Sequence, residues 1–132
     1  MEVKITSPLI LAYIGDAVFS LFVREQLLLA GYEKVRELHE YCRTIVSAKL
    51  QAYAVRRLSV NFSEVEQSIF LRGRNTSSPV PKSATVSEYR AATGFETLIG
   101  YLHLEGQGAR KVELMTNAYE LIFAKLKADQ EN

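Results

Sequence analysis

The sequence predicts an all-α fold. Apolar residues recur at helical spacing through most of the chain, and helix start and stop signals punctuate it at short intervals. Only one segment, Arg74 to Ser83, has neither periodicity nor caps. The expected architecture is a bundle of helices in one domain.

The elements follow in order. Ser7-Pro8 is a start signal, with serine at the N-cap and proline in the first turn. A helix is expected from about Pro8 to Leu29, with Gly31 as its stop. It is apolar nearly all round, which predicts a central, buried helix. A second helix should span about Glu33 to Thr44, with Val35, Leu38, Cys42 and Ile45 on one face. A third should begin after Ser47 and run to about Leu58, and Asn61 and Phe62 mark a turn. Ser63-x-x-Glu66 is a capping box that opens a helix ending near Gly73. Thr85-x-x-Glu88 is a second box, opening a helix to about Leu104, where Gly106 and Gly108 stop it. The last helix should run from about Arg110 to Lys127, leaving Asp129 to Asn132 frayed.

With 132 residues and 48% hydrophobic content, the chain suits one domain with a real core, expected to span 1–132. A formal net charge of +1 is no sign of a nucleic-acid partner, so any basic surface must be local. The single cysteine, Cys42, excludes an internal disulfide and a CxxC zinc site, and reads as a small core or boundary residue. Met1 to Ser7 does not read as a signal peptide. The most apolar run, Leu9 to Val23, is shorter than the roughly 20 residues a bilayer span needs. No membrane partner is expected, and the protein is expected in the cytoplasm.

Two acids stand in apolar surroundings. Asp16 lies in Leu-Ala-Tyr-Ile-Gly-Asp-Ala-Val-Phe, about two turns inside its helix, too deep for an N-cap. Glu96 lies in Thr-Gly-Phe-Glu-Thr-Leu-Ile-Gly-Tyr-Leu, also mid-helix. Burying an unpaired carboxylate is costly, so each calls for a partner. One reading is structural, for example a salt bridge from Asp16 to Arg90. The other is an oxygen-ligand site for a hard cation, magnesium or alternatively manganese. Gly15, Gly94 and Gly100 flank the acids, which suggests close packing or close approach of a ligand. Glu25, Glu33, Glu37 and Glu40 read as solvated, and Glu64 and Glu66 as helix-opening acids. His39 and His103 are isolated and read as structural. No phosphate-cradling glycine loop appears, so no nucleotide cofactor is expected.

From Arg72 to Ser83 there are three cations and no acid. Arg72, Arg74, Asn75 and Lys82 are the residue types that contact phosphate and sugar, and Lys49, Arg56 and Arg57 add charge on the third helix. A solvated connector is the plain alternative, although the segment is long for one in so small a domain.

Tyr-Ile-Gly-Asp-Ala-Val resembles the signature stretch of the ribonuclease III endonuclease domain, and Gly-Phe-Glu-Thr-Leu-Ile-Gly-Tyr-Leu resembles that family's second acidic motif. The Arg-Gly-Arg-Asn segment, the Pro-Lys that follows it and the Tyr89-Arg90 pair resemble the family's short bacterial branch. The resemblance covers about Ser7 to Leu126. It implies an all-α, ribonuclease III-like helical bundle that cleaves double-stranded RNA with divalent metal as a homodimer. Asp16 and Glu96 match the two core metal-binding acids. Two further acids of the longer enzymes are replaced here by Ala12 and Thr93, a loss that the short branch shares. No double-stranded-RNA-binding domain is expected, so RNA contact should fall to the catalytic domain, with Lys49, Arg72, Arg74, Asn75, Lys82, Tyr89 and Arg90 as the expected residues. The branch implies maturation of the 23S ribosomal RNA precursor.

The competing expectation is a non-catalytic RNA-binding or ribosome-associated protein of the same fold, motivated by Ala12 and Thr93. A third is a dimerisation module with no RNA role, in which Asp16 and Glu96 would be salt-bridged or far apart.

Overall fold

The computed structural model describes residues 1–131. Six helices follow one another: α1 Pro8–Leu29, α2 Val35–Ile45, α3 Ala48–Leu58, α4 Glu64–Arg74, α5 Val86–Leu104 and α6 Gly108–Glu131. Two 3-10 turns, Val3–Ile5 and Ser59–Asn61, precede α1 and α4. No strand occurs among the described residues, so the all-α expectation holds.

The start and stop signals act as local chemistry dictates. Both capping boxes close: Ser63 and Glu66 exchange bonds at the start of α4, and Thr85 and Glu88 do so at the start of α5. Ser47 Oγ accepts from Leu50 N at the start of α3. Ser7 stands at the N-cap of α1, but its hydroxyl makes no cap bond; its carbonyl accepts from Leu11 N. Gly31 and Gly106 end α1 and α5 with φ of 101° and 75°, a backbone region that side chains disfavour.

Four expectations need correction. The central helix is α5, not α1. Nearly every residue from Ala91 to Leu102 is buried, and α5 packs on α1, α3, α4 and α6. Helix α1 buries only Leu11, Ala12, Gly15, Phe19, Val23 and Leu27, and its outer face leaves Ile10, Tyr13, Leu21 and Leu28 exposed. Its all-round apolarity therefore marks an unpartnered face rather than full burial. Val35 is also exposed, because it opens α2 before that helix meets the core. Finally, α6 begins at Gly108 and stays helical through Glu131, aided by a Lys125–Asp129 ion pair. The frayed tail expected from Asp129 is thus helical as far as Glu131, and Asn132 lies outside the described residues.

The glycines set how closely α5 can be approached. A Cβ on Gly15 would stand 1.7 Å from the Glu96 carbonyl oxygen, and one on Gly100 would stand 1.9 Å from that of Leu11. Helices α1 and α5 therefore cross with backbones in contact. Across α4 and α5, a Cβ on Gly73 would meet Thr97 Oγ1 at 2.2 Å, and one on Gly94 would meet the Phe70 ring at 2.7 Å. Close packing, not ligand approach, is the role of Gly15, Gly94 and Gly100.

An ion pair between buried Glu66 and half-buried Arg110 ties α6 to α4. Arg110 Nε and Nη2 reach the two Glu66 carboxylate oxygens at 2.8 and 2.9 Å, and Nη2 also donates to Asn61 O. Arg110 holds the Glu66 carboxyl below its ordinary range, against the opposing effect of burial. Glu66 is therefore more than a helix-opening acid. Cys42 is buried, with its thiol 3.8 Å from Ser20 O, in the core role expected of it. No described helix is long and apolar enough to cross a membrane.

Candidate active site

The α1–α5 crossing brings the two acids together. Asp16 follows Gly15, whose α-carbon rests on the Glu96 backbone, so the two carboxylates meet where the helices touch. The Glu96 side chain lies within hydrogen-bonding reach of Asp16. Asp16 is exposed and Glu96 half-buried, so one carboxylate faces solvent and the other lies behind it. Among the described residues Asp16 makes no ion pair, which excludes the salt bridge to Arg90. The acids are neither salt-bridged nor far apart, contrary to what the dimerisation-module reading requires.

Burial and the Asp16 charge push the Glu96 carboxyl up to about 8. Without a cation, burial and the neighbouring charge favour the protonated form of Glu96 near neutrality. Gln51 opposes that rise. It is buried on α3, and its Nε2 donates to Glu96 Oε2 at 3.2 Å and to Val46 O at 2.7 Å. Its Oε1 is buried without a partner. Gln51 is absent from the residues that the sequence singles out. Its signal is a glutamine inside the apolar stretch Leu50–Val55, the same misplaced polarity that marks the two acids.

These groups fit a divalent cation. Two hard-oxygen donors converge, one exposed, and the rise of the Glu96 carboxyl comes first from burial and then from the Asp16 charge, which a cation would offset. Among the described residues no cluster of three or more His, Cys, Asp or Glu side chains forms. Ala12 and Thr93 are both buried, and the Thr93 hydroxyl is spent on Tyr89 O of its own helix.

The other expected residues are spread more widely. Lys49 is exposed on the first turn of α3, two positions from Gln51. Arg74, Asn75, Lys82 and Arg90 are exposed around the 75–85 connector, and Tyr89 OH accepts from Ser78 Oγ within it. Arg72 faces the other way and donates to Lys4 O and Thr6 O, pinning the segment before α1. His39 and His103 are exposed, and His103 meets only Lys111.

This fold has counterparts among known proteins. The ribonuclease III domain family matches residues 9–107. A Mini-ribonuclease 3 of Symbiobacterium thermophilum is 46% identical, covering 87% of this chain and 89% of its own. One of Clostridium tetani is 41% identical, covering 90% and 82%. A crystal structure of a Fusobacterium nucleatum protein superposes with a TM-score of 0.79 at 29% identity, covering 88% of this chain and 93% of its own.

The chain belongs to the ribonuclease III family, endoribonucleases of double-stranded RNA. Within that family its place is in the Mini-ribonuclease III branch.

Proposed function

We propose that the protein hydrolyses phosphodiester bonds in duplex RNA with a divalent cation, magnesium or manganese, held by Asp16 and Glu96. The supporting observation is the meeting of these two carboxylates at the α1–α5 crossing, beside the buried Gln51 amide. The bound cation would supply the charge that activates water and stabilises the leaving oxygen. Asp16, the exposed member, faces the approaching phosphate. Glu96 would serve as an ionised ligand, its proton released to solvent, and Gln51 would keep its carboxylate directed at the site. Water and RNA phosphate would have to supply the remaining ligands, since Ala12 and Thr93 contribute no acid.

RNA contact falls to Lys49, Arg74, Asn75, Lys82, Tyr89 and Arg90, since A-form duplex is read through phosphates, 2′-hydroxyls and shape. Arg72 belongs to this set only through donors that its two backbone carbonyls leave free. The substrate in the cell is the precursor of 23S ribosomal RNA, which places the work in the cytoplasm.

The active form is a homodimer built on α1. Ile10, Tyr13, Leu21 and Leu28 fall on one outer stripe, and Asp16 stands beside it. An exposed apolar stripe, interrupted by Arg24, supports an interface, and a two-fold pairing through it would set two sites side by side. Sedimentation should show a dimer that Ile10→Asp splits.

The decisive experiment incubates purified protein with duplex RNA and with the matched single strand. Cleavage of the duplex alone, dependent on magnesium and lost in a folded Asp16→Asn variant, is expected. Near wild-type cutting by Asp16→Asn would overturn the site. No cleavage by the wild type with either metal would favour the non-catalytic reading.

A further inference from the structure

A second polar feature lies away from the acid pair. Between α3, α4 and the start of α5 is a cleft of about 710 Å3. Arg56 from α3, Arg74 from the end of α4 and Arg90 from α5 all line it, together with Asn75 and Ser87. No acid lines it. Among the described residues none of the three arginines makes an ion pair. Arg56 Nη2 donates to Ser87 Oγ at 2.7 Å, and Arg74 Nε donates to Asn75 Oδ1 at 3.2 Å, so neutral partners hold two of the guanidinium groups in place.

Three like charges gathered from three helices repel one another, and their neutral partners position them without offsetting that charge. In a chain with a net charge of +1, such convergence calls for an anion from outside. Guanidinium donors match phosphate oxygens in pairs.

We infer that Arg56, Arg74 and Arg90 form a discrete phosphate-binding seat, separate from the acid pair. At about 1.5 Å of rise per residue, Ser87 stands roughly 13 Å along α5 from Glu96. A phosphate held there is not the one being cut. It belongs to a backbone position of the same duplex farther from the cut, an assignment that rests on the proposed RNA substrate. The seat itself does not depend on that substrate. Its role is to fix the register of the RNA on the acid pair.

Two measurements test this, each on wild type and on Arg56→Ala/Arg90→Ala, whose substituted side chains are exposed. In the first, sodium phosphate is titrated against sodium chloride at equal ionic strength while backbone amide resonances are followed. Saturable phosphate-specific shifts at Val86, Ser87 and Arg90 in the wild type, absent from the variant, are expected. Equal responses to phosphate and chloride would overturn the seat. In the second, binding of duplex RNA is measured in EDTA across salt concentrations. The double variant should lower the logarithmic salt slope by about 0.9, the value of one lost phosphate contact. An unchanged slope with intact phosphate shifts would overturn the RNA assignment and give the seat to free phosphate or a nucleotide. No duplex binding by the wild type would sink the RNA reading, while the phosphate titration would still decide the seat.

Discussion

Gln51 donates its side-chain amide to Glu96 across the α3–α5 contact, while its own carbonyl oxygen is buried without a partner. The bond favours the ionised form of Glu96, the form a cation needs. Gln51→Met keeps the volume and removes the donor. Groups that orient metal ligands typically matter on the order of 10-fold in metal affinity. The magnesium concentration for half-maximal cleavage should therefore rise by about that factor. A variant with unchanged metal dependence but lower thermal stability would show that Gln51 is structural only.

Gly15 is the position where fold and site are least separable. Gly15→Ala would drive a methyl into the Glu96 carbonyl, a backbone atom that cannot swing aside. Forcing the helices apart should cost about 3 kcal/mol or more, read as a lower denaturant midpoint. Gly108 begins α6, and a methyl added there would meet nothing within 4 Å. Gly108→Ala should be neutral or stabilise by up to about 1 kcal/mol.

Stability should respond to pH in two windows of opposite sign. Glu96 has its folded value raised from 4.5 to about 8, so its contribution is complete below 4.5. That contribution is lost as pH rises toward 8, by up to about 1.4 kcal/mol per unit, and levels off above. Glu66 is lowered by Arg110, so its contribution is present above 4.5 and lost as pH falls through the folded value. Metal-free melting curves should show both limbs, with Glu96→Gln removing the upper and Glu66→Gln the lower. Magnesium should raise the melting temperature more at pH 8 than at pH 5, where protons compete with it.

The Glu66–Arg110 pair offers a test confined to the fold. Arg110→Met strands a buried carboxylate and should destabilise by about 3 kcal/mol. Adding Glu66→Gln should recover much of that loss in urea melts, because the stranded charge is gone. Full additivity of the two substitutions would mean that the pair does not interact.

The helices are legible in the sequence because their signals are local. Two capping boxes, a Ser-Pro start and two left-handed glycines need only their own neighbours. The site is half legible for a related reason: a carboxylate in an apolar helix violates burial rules wherever it is met. What stays hidden is relational. Arg72 belongs to a basic segment by composition, yet two carbonyls before α1 claim its guanidinium. Glu66 looks like a helix-opening acid and nothing more, because Arg110 lies 44 positions away. The outer face of α1 looks like core, because apolar periodicity does not say what covers it.

The glycine contacts also bear on how such a chain can change over time. Any replacement of glycine adds at least one carbon, so Gly15, Gly73, Gly94 and Gly100 have no smaller or equal neighbour to drift into. Exchange is open on the solvent faces of α2 and α6, whereas the crossing under the acids admits no single-step variation. Inheritance at these four positions should be all or nothing, and a descendant that abandons one of them must first re-space two helices.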